Sequence, residues 1–101
     1  MNTELFLSSS QSLQKYFDAE IQGTNEKQLK EWLTQQIIYL LLNNMEKLLN
    51  ILYRIDVNEK KVKEVFAQQN PQLIAPLLAQ LLIERENQKA ETRLKFRDKK
   101  F

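Results

Sequence analysis

The chain has 101 residues, 43% of them hydrophobic and 28% charged, with a formal net charge of +2. That length suits one core, and the composition is too apolar for a disordered chain. Neither Cys nor His is present, which removes disulfides, thiolate metal sites and cysteine nucleophiles, together with the commonest general base and transition-metal ligand. The sequence therefore favours a protein that is not an enzyme and needs no cofactor or metal.

One Gly and two Pro are too few to turn an all-β chain every ten residues or so, and a few long helices are predicted instead. Met1 to Ser10 carries Glu4 and no basic residue ahead of Leu5, Phe6 and Leu7, so no secretory leader is expected. The longest apolar run, Ile37 to Leu42, falls far short of the ~20 residues that span a bilayer. A cytoplasmic protein is expected.

Ser8, Ser9 and Ser10 offer N-caps for a first helix near residues 10–22, with Leu13, Tyr16, Phe17 and Ile21 spaced by three and four and Gly23 as its stop. Residues 1–9 are expected to fray. Thr24 or Asn25 caps the next segment, which has no Gly or Pro before Asp56 and is predicted as one helix over 25–55. Unbroken, it would be about 45 Å long, so it either overhangs a compact monomer or bends. Over Ile37 to Ile55 the apolar positions Ile38, Leu41, Leu42, Met45, Leu48, Leu49, Ile51, Leu52 and Ile55 cover about 200° of the helix, roughly twice an ordinary buried stripe. Leu29, Trp32 and Leu33 point some 140° away from them. Either the helix is irregular, or its halves serve different partners.

Asp56 followed by Glu59 reads as a capping box ahead of a short helix with Val62, Val65 and Phe66 inward. Asn70 and Pro71 start a last helix towards residue 97 that buries Leu73, Ile74, Leu77, Leu78, Leu81 and Leu82. A start at Pro76 is the competing boundary, because an interior Pro forfeits a hydrogen bond. From Glu84 to Lys100 only Ala90, Leu94 and Phe96 are apolar, so this half is predicted to project into solvent or onto another chain. The alternation Arg93, Leu94, Lys95, Phe96, Arg97 is as compatible with a strand or a flexible tail as with a helix. The fold class expected is all-α: a four-helix arrangement in which three shorter helices pack around one long central helix, in a homodimeric bundle, because three short neighbours cannot cover a 200° stripe.

Charge is unevenly placed. From Arg93 onward five basic residues face one acid, +4, whereas residues 1–92 carry ten basic against twelve acidic, −2. Arg85, Lys89, Arg93 and Arg97, spaced four apart, form a candidate basic surface that could follow phosphates; the plain alternative is local pairing with Glu84, Glu86 and Glu91. Phe96 and Phe101 among basic residues could meet a membrane surface or bases, or dock on the chain itself. Arg54, Asp56, Glu84, Arg85 and Glu86 could gather into a charged cluster with structural roles. Trp32, the single Trp, either anchors an interface or covers the first helix. With Leu41, Leu48 and Leu52 it makes the candidate interface.

Leu52, Tyr53, Arg54, Ile55, Asp56 and Val57, followed by Ile83, Glu84, Arg85 and Glu86 and then Lys89 and Arg93, are similar to a group of small bacterial all-helical proteins with no established activity. The likeness covers the second half of the chain. It implies a bacterial cytoplasmic protein and supplies no site residue. The function expected is protein–protein contact or regulation by a homodimer with an unidentified protein partner and no membrane; the alternative is a nucleic-acid-associated protein using the basic C-terminal segment.

Overall fold

The computed structural model describes residues 3–21 and 23–98. Five helices form among them: α1 (Thr3–Phe17), α2 (Glu26–Asn43), α3 (Met45–Ile55), α4 (Glu59–Phe66) and α5 (Pro71–Asp98). The chain is all-α as expected, with five helices in place of four because the 25–55 segment is divided. Asn44 adopts φ −157°, ψ 73° and accepts the Lys47 N–H on its side chain (3.1 Å), so it ends α2 and caps α3. The physical reason lies in the apolar pattern. Leu29, Trp32, Leu33, Ile37 and Leu40 are buried on α2, and Leu48, Ile51, Leu52 and Ile55 on α3. On one continuous helix these two sets would face roughly 75° apart. The break lets both enter the same core.

The first helix begins earlier and ends earlier than predicted. Residues 3–9 are helical because Leu5 and Ser9 are buried in the fold, and Ser9 donates to Asn87 Oδ1 (2.6 Å). Ser9 and Ser10 therefore sit inside α1 instead of capping it. Asp18, at φ 50°, ends the helix, and the Gln14 side chain accepts the Ile21 N–H (2.8 Å) beyond it. Gly23 has a different task. At φ 146° it passes so close to Gln28 that a Cβ would collide with that side chain, whose Oε1 takes the Thr24 N–H (2.7 Å). Asn25 is the α2 cap, accepting from Gln28 N (2.9 Å).

Asp56 does not open a capping box. It lies in the left-handed region at φ 63° and closes α3, its N–H and that of Val57 both turning back to the Leu52 carbonyl. Two residues later Asn58 caps α4 by accepting from Lys61 N (3.1 Å). At Pro71 α5 starts as predicted and continues through Pro76. Its buried face is Ile74, Ala75, Leu78, Ala79, Leu82 and Ile83. Leu73 and Leu77 are exposed and Leu81 is half-buried, which corrects three of the six positions expected inside: they lie at one flank of the buried arc, spaced by four.

The helix α5 touches all four others. Its 28 residues reach about 42 Å, most of the 47 Å long axis of the molecule. The second half of α5 does not project freely. α1 runs antiparallel to it, with Ser9 at Asn87, Ser8 at Arg93 and Glu4 at Arg97, and Glu86 and Ala90 are buried. Arg93 to Arg97 is helical, which settles the strand alternative. Met1, Asn2, Lys99, Lys100 and Phe101 lie outside the described residues, and with them the ends of the expected frayed and flexible segments.

Candidate functional site

Trp32 sits against α1, its ring edge-on to Phe17 (centroids 6.3 Å, interplanar angle 71°), so it covers the first helix and belongs to the chain's own core. Leu48 and Leu52 are core residues as well, and Leu41 is half-buried against that core. A single copy thus buries three of the four side chains first expected at an interface and half-buries Leu41.

The four basic residues at fourfold spacing all engage their own chain. Arg85 reaches Asp56 through its backbone oxygen (3.1 Å) and carboxylate (3.5 Å); Lys89 pairs with Glu86 (3.2 Å); Arg93 donates to Ser8 Oγ (2.7 Å); Arg97 pairs with Glu4 (3.1 Å). One of these partners, Glu86, is among the acids expected nearby. The others come from α1 and the end of α3, contacts that only the tertiary fold makes. The supposed charged cluster divides likewise: Arg54 stacks over the Tyr16 ring (5.2 Å) and Glu84 accepts from Gln80 (2.9 Å).

Among the described residues Glu86 is the one buried acid, 1% exposed. Its Oε2 is within ion-pair distance of Lys89 but has no hydrogen bond among the described residues. No group of three or more acidic side chains among the described residues is placed to hold a metal ion. Nor is any helix among them long and apolar enough to cross a membrane.

What the fold leaves open is one half of the wide apolar arc. On α3 the buried residues Ile51, Ile55, Leu48 and Leu52 occupy roughly 100° of the circumference, and Met45, Leu49 and Tyr53 follow in order over the next 100° or so. These three are solvent-exposed, Leu49 at 49% and Tyr53 at 84%, beside a neighbour, Leu48, at 0%. Tyr39 and Leu42, exposed on the last turn of α2, lie just across the Asn44 break. Leu49, Tyr53, Val57 and Val62 line a hollow of about 220 Å³ between α3 and α4, edged by Asp56 and Glu59. Comparison with protein-family models, curated proteins and solved structures gives no match.

Behind this hollow α4 itself is thinly attached. It has no fully buried residue; Val62, Val65 and Phe66 are half-buried. On its other side Lys61, Glu64 and Val65 face Leu77 and Leu81 of α5 across a second hollow of about 290 Å³. The width of the arc is legible in the sequence but its division is not, so Leu49 was not distinguished from Leu48 and Leu52, and Tyr53 was left out of the arc. The exposed Leu77 was likewise placed inside. The available signal was the excess width itself: an arc of 200° has a margin that one set of neighbours does not reach.

Proposed function

We propose that the chain is a non-enzymatic contact protein of the cytoplasm that works as a homodimer, with the open flank of α3 as its principal surface. The observation that supports this is the divided arc, in which Met45, Leu49 and Tyr53 continue the apolar surface of Leu48 and Leu52 into solvent. Contiguous exposed apolar surface on a folded chain marks a place where another molecule sits. Tyr, Leu and Met at the centre of such a patch are side chains that give up water readily and, for Tyr, fix a partner by one polar tip.

The non-enzymatic part of the reading rests on the residues at hand. The α3–α4 hollow does bring two carboxylates together, Asp56 and Glu59, yet Asp56 is tied to Arg85 and Glu59 is an exposed first-turn acid of α4. The rest of the lining is Leu49, Leu52, Tyr53, Val57 and Val62, with no Ser, Thr or Lys among it. A phosphate-binding role for Arg85, Lys89, Arg93 and Arg97 would require each to leave a partner on its own chain, and it draws less support for that reason. The test is light scattering on the chain during gel filtration over a dilution series. A mass of about 24 kDa at tens of micromolar, twice the 12.1 kDa of the chain, is expected; a constant 12 kDa would refute self-association.

A further inference from the structure

The two hollows lie on opposite sides of α4. The α3–α4 hollow is a cup of Leu52, Val57 and Val62 with Leu49 and Tyr53 at its edge, and its charged residues, Asp56 and Glu59, are both acidic. The α4–α5 side carries the exposed Leu73 and Leu77, with Lys61 and Glu64 beside Leu77. At about 220 Å³ the cup exceeds the ~150 Å³ of an apolar cavity that takes benzene, so an isobutyl group fits. Resting on the self-association reading above, we infer that the second copy docks across α4 by a two-fold contact in which the α3–α4 cup of each copy receives Leu77 of the other.

Symmetry makes this economical. A two-fold axis lying along α4 places each side of that helix over the opposite side of its copy, so that residue i meets j and j meets i. Such an axis keeps equal residue numbers level. Glu59 then comes beside the partner's Lys61, and Lys63 beside the partner's Glu64. None of these four forms an ion pair within its own chain among the described residues.

The area also agrees. Exposed fractions of 37%, 49%, 84%, 50% and 44% for Met45, Leu49, Tyr53, Leu73 and Leu77, at roughly 200 Å² per large side chain, give roughly 500 Å² of apolar surface per copy. A standard interface takes about 800 Å² from each partner, some 60% of it apolar, which is again roughly 500 Å². The thin attachment of α4 fits as well, since a helix with no fully buried residue gains cover from the copy.

Charge reversal tests the arrangement on the full chain. Glu59→Lys alone and Lys61→Glu alone each create two repulsive contacts per dimer, and each is expected to weaken self-association roughly tenfold. Mixed in equal amounts, the two variants regain opposite charges at both contacts and form a heterodimer as tight as the wild type. A second arm uses the absence of Cys from the chain: Leu49→Cys mixed with Leu77→Cys forms an intermolecular disulfide on mild oxidation, whereas either variant alone does not. If the wild type is monomeric at 100 µM or so, this inference and the self-association reading fall together. If the wild type dimerises but the charge variants pair no more tightly mixed than alone, or Leu49→Cys cross-links to itself, self-association stands and the α4-centred arrangement is wrong. Circular dichroism on each variant separates a lost contact from a lost fold.

Discussion

Asn44→Ala tests whether one side chain divides the long helix. Asn44 Oδ1 accepts the Lys47 N–H at 3.1 Å, and the residue is exposed, so its replacement removes one capping bond and little packing. Losing an N-cap of this kind costs about 1 kcal/mol, within a range of ~0.5–2. Ala also removes the local obstacle to a continuous helix, but continuity would rotate the α3 stripe by roughly 75° from the core and expose Leu48, Ile51, Leu52 and Ile55. Four such side chains at roughly 2 kcal/mol each far outweigh any propensity gained, so the break persists and the capping loss appears as lower stability. For a domain of about 100 residues that is a fall in Tm of roughly 4–8 °C, with Asn44→Asp close to the wild type. Thermal unfolding by circular dichroism at one fixed concentration measures it, since self-association makes Tm concentration-dependent. A variant as stable as the wild type, or more stable, would show that the Asn44 side chain does not set the break.

Adjacent leucines should respond oppositely. Leu48→Ala is expected to cost about 3–5 kcal/mol in urea unfolding, because Leu48 is fully buried, while Leu49→Ala should leave the stability of the single chain within about 0.5 kcal/mol and weaken self-association in gel filtration. Lys89→Ala strips the buried Glu86 carboxylate of the partner at 3.2 Å and should cost roughly 3 kcal/mol; the double variant Glu86→Leu with Lys89→Ala should recover most of it, which denaturant curves of the three proteins check. Asp56→Gly should be neutral or up to about 1 kcal/mol stabilising, because Gly accepts the left-handed φ of 63° freely and the exposed pair with Arg85 contributes little. Asp56→Val should cost more than 1 kcal/mol for the opposite reason, read from the same curves.

Much of the architecture was legible because it follows from composition and strong local signals. The scarcity of Gly and Pro fixed the helical class, Asn25 and the Asn70–Pro71 pair marked helix starts that the fold uses, and the wide arc around Leu48 announced more apolar surface than one set of neighbours covers. The break at Asn44 was hidden because Asn tolerates a helix interior at modest cost; only the tertiary demand that two misaligned stripes share a core makes its capping capacity decisive. Asp56 illustrates a real ambiguity, since a short acid before Asn58 serves equally as an N-cap or as the left-handed end of the preceding helix. The partners of Arg93 and Arg97 lie on α1, some 85 and 93 residues away in sequence, beyond the reach of any local pattern. For the candidate surface, the sequence showed that apolar area was in excess, but which part stays outside depends on where α4 and α5 come to rest.

A second copy is expected to occupy the uncovered half of the α3 arc. Sedimentation equilibrium of the wild type beside Leu49→Asp tests it most directly. A wild-type mass near twice the 12.1 kDa of the chain, falling to a single chain in the variant with its helicity intact, is the expected result. A wild type that stays at one chain mass at the highest attainable concentration, or a variant that associates as tightly as the wild type, would contradict the account.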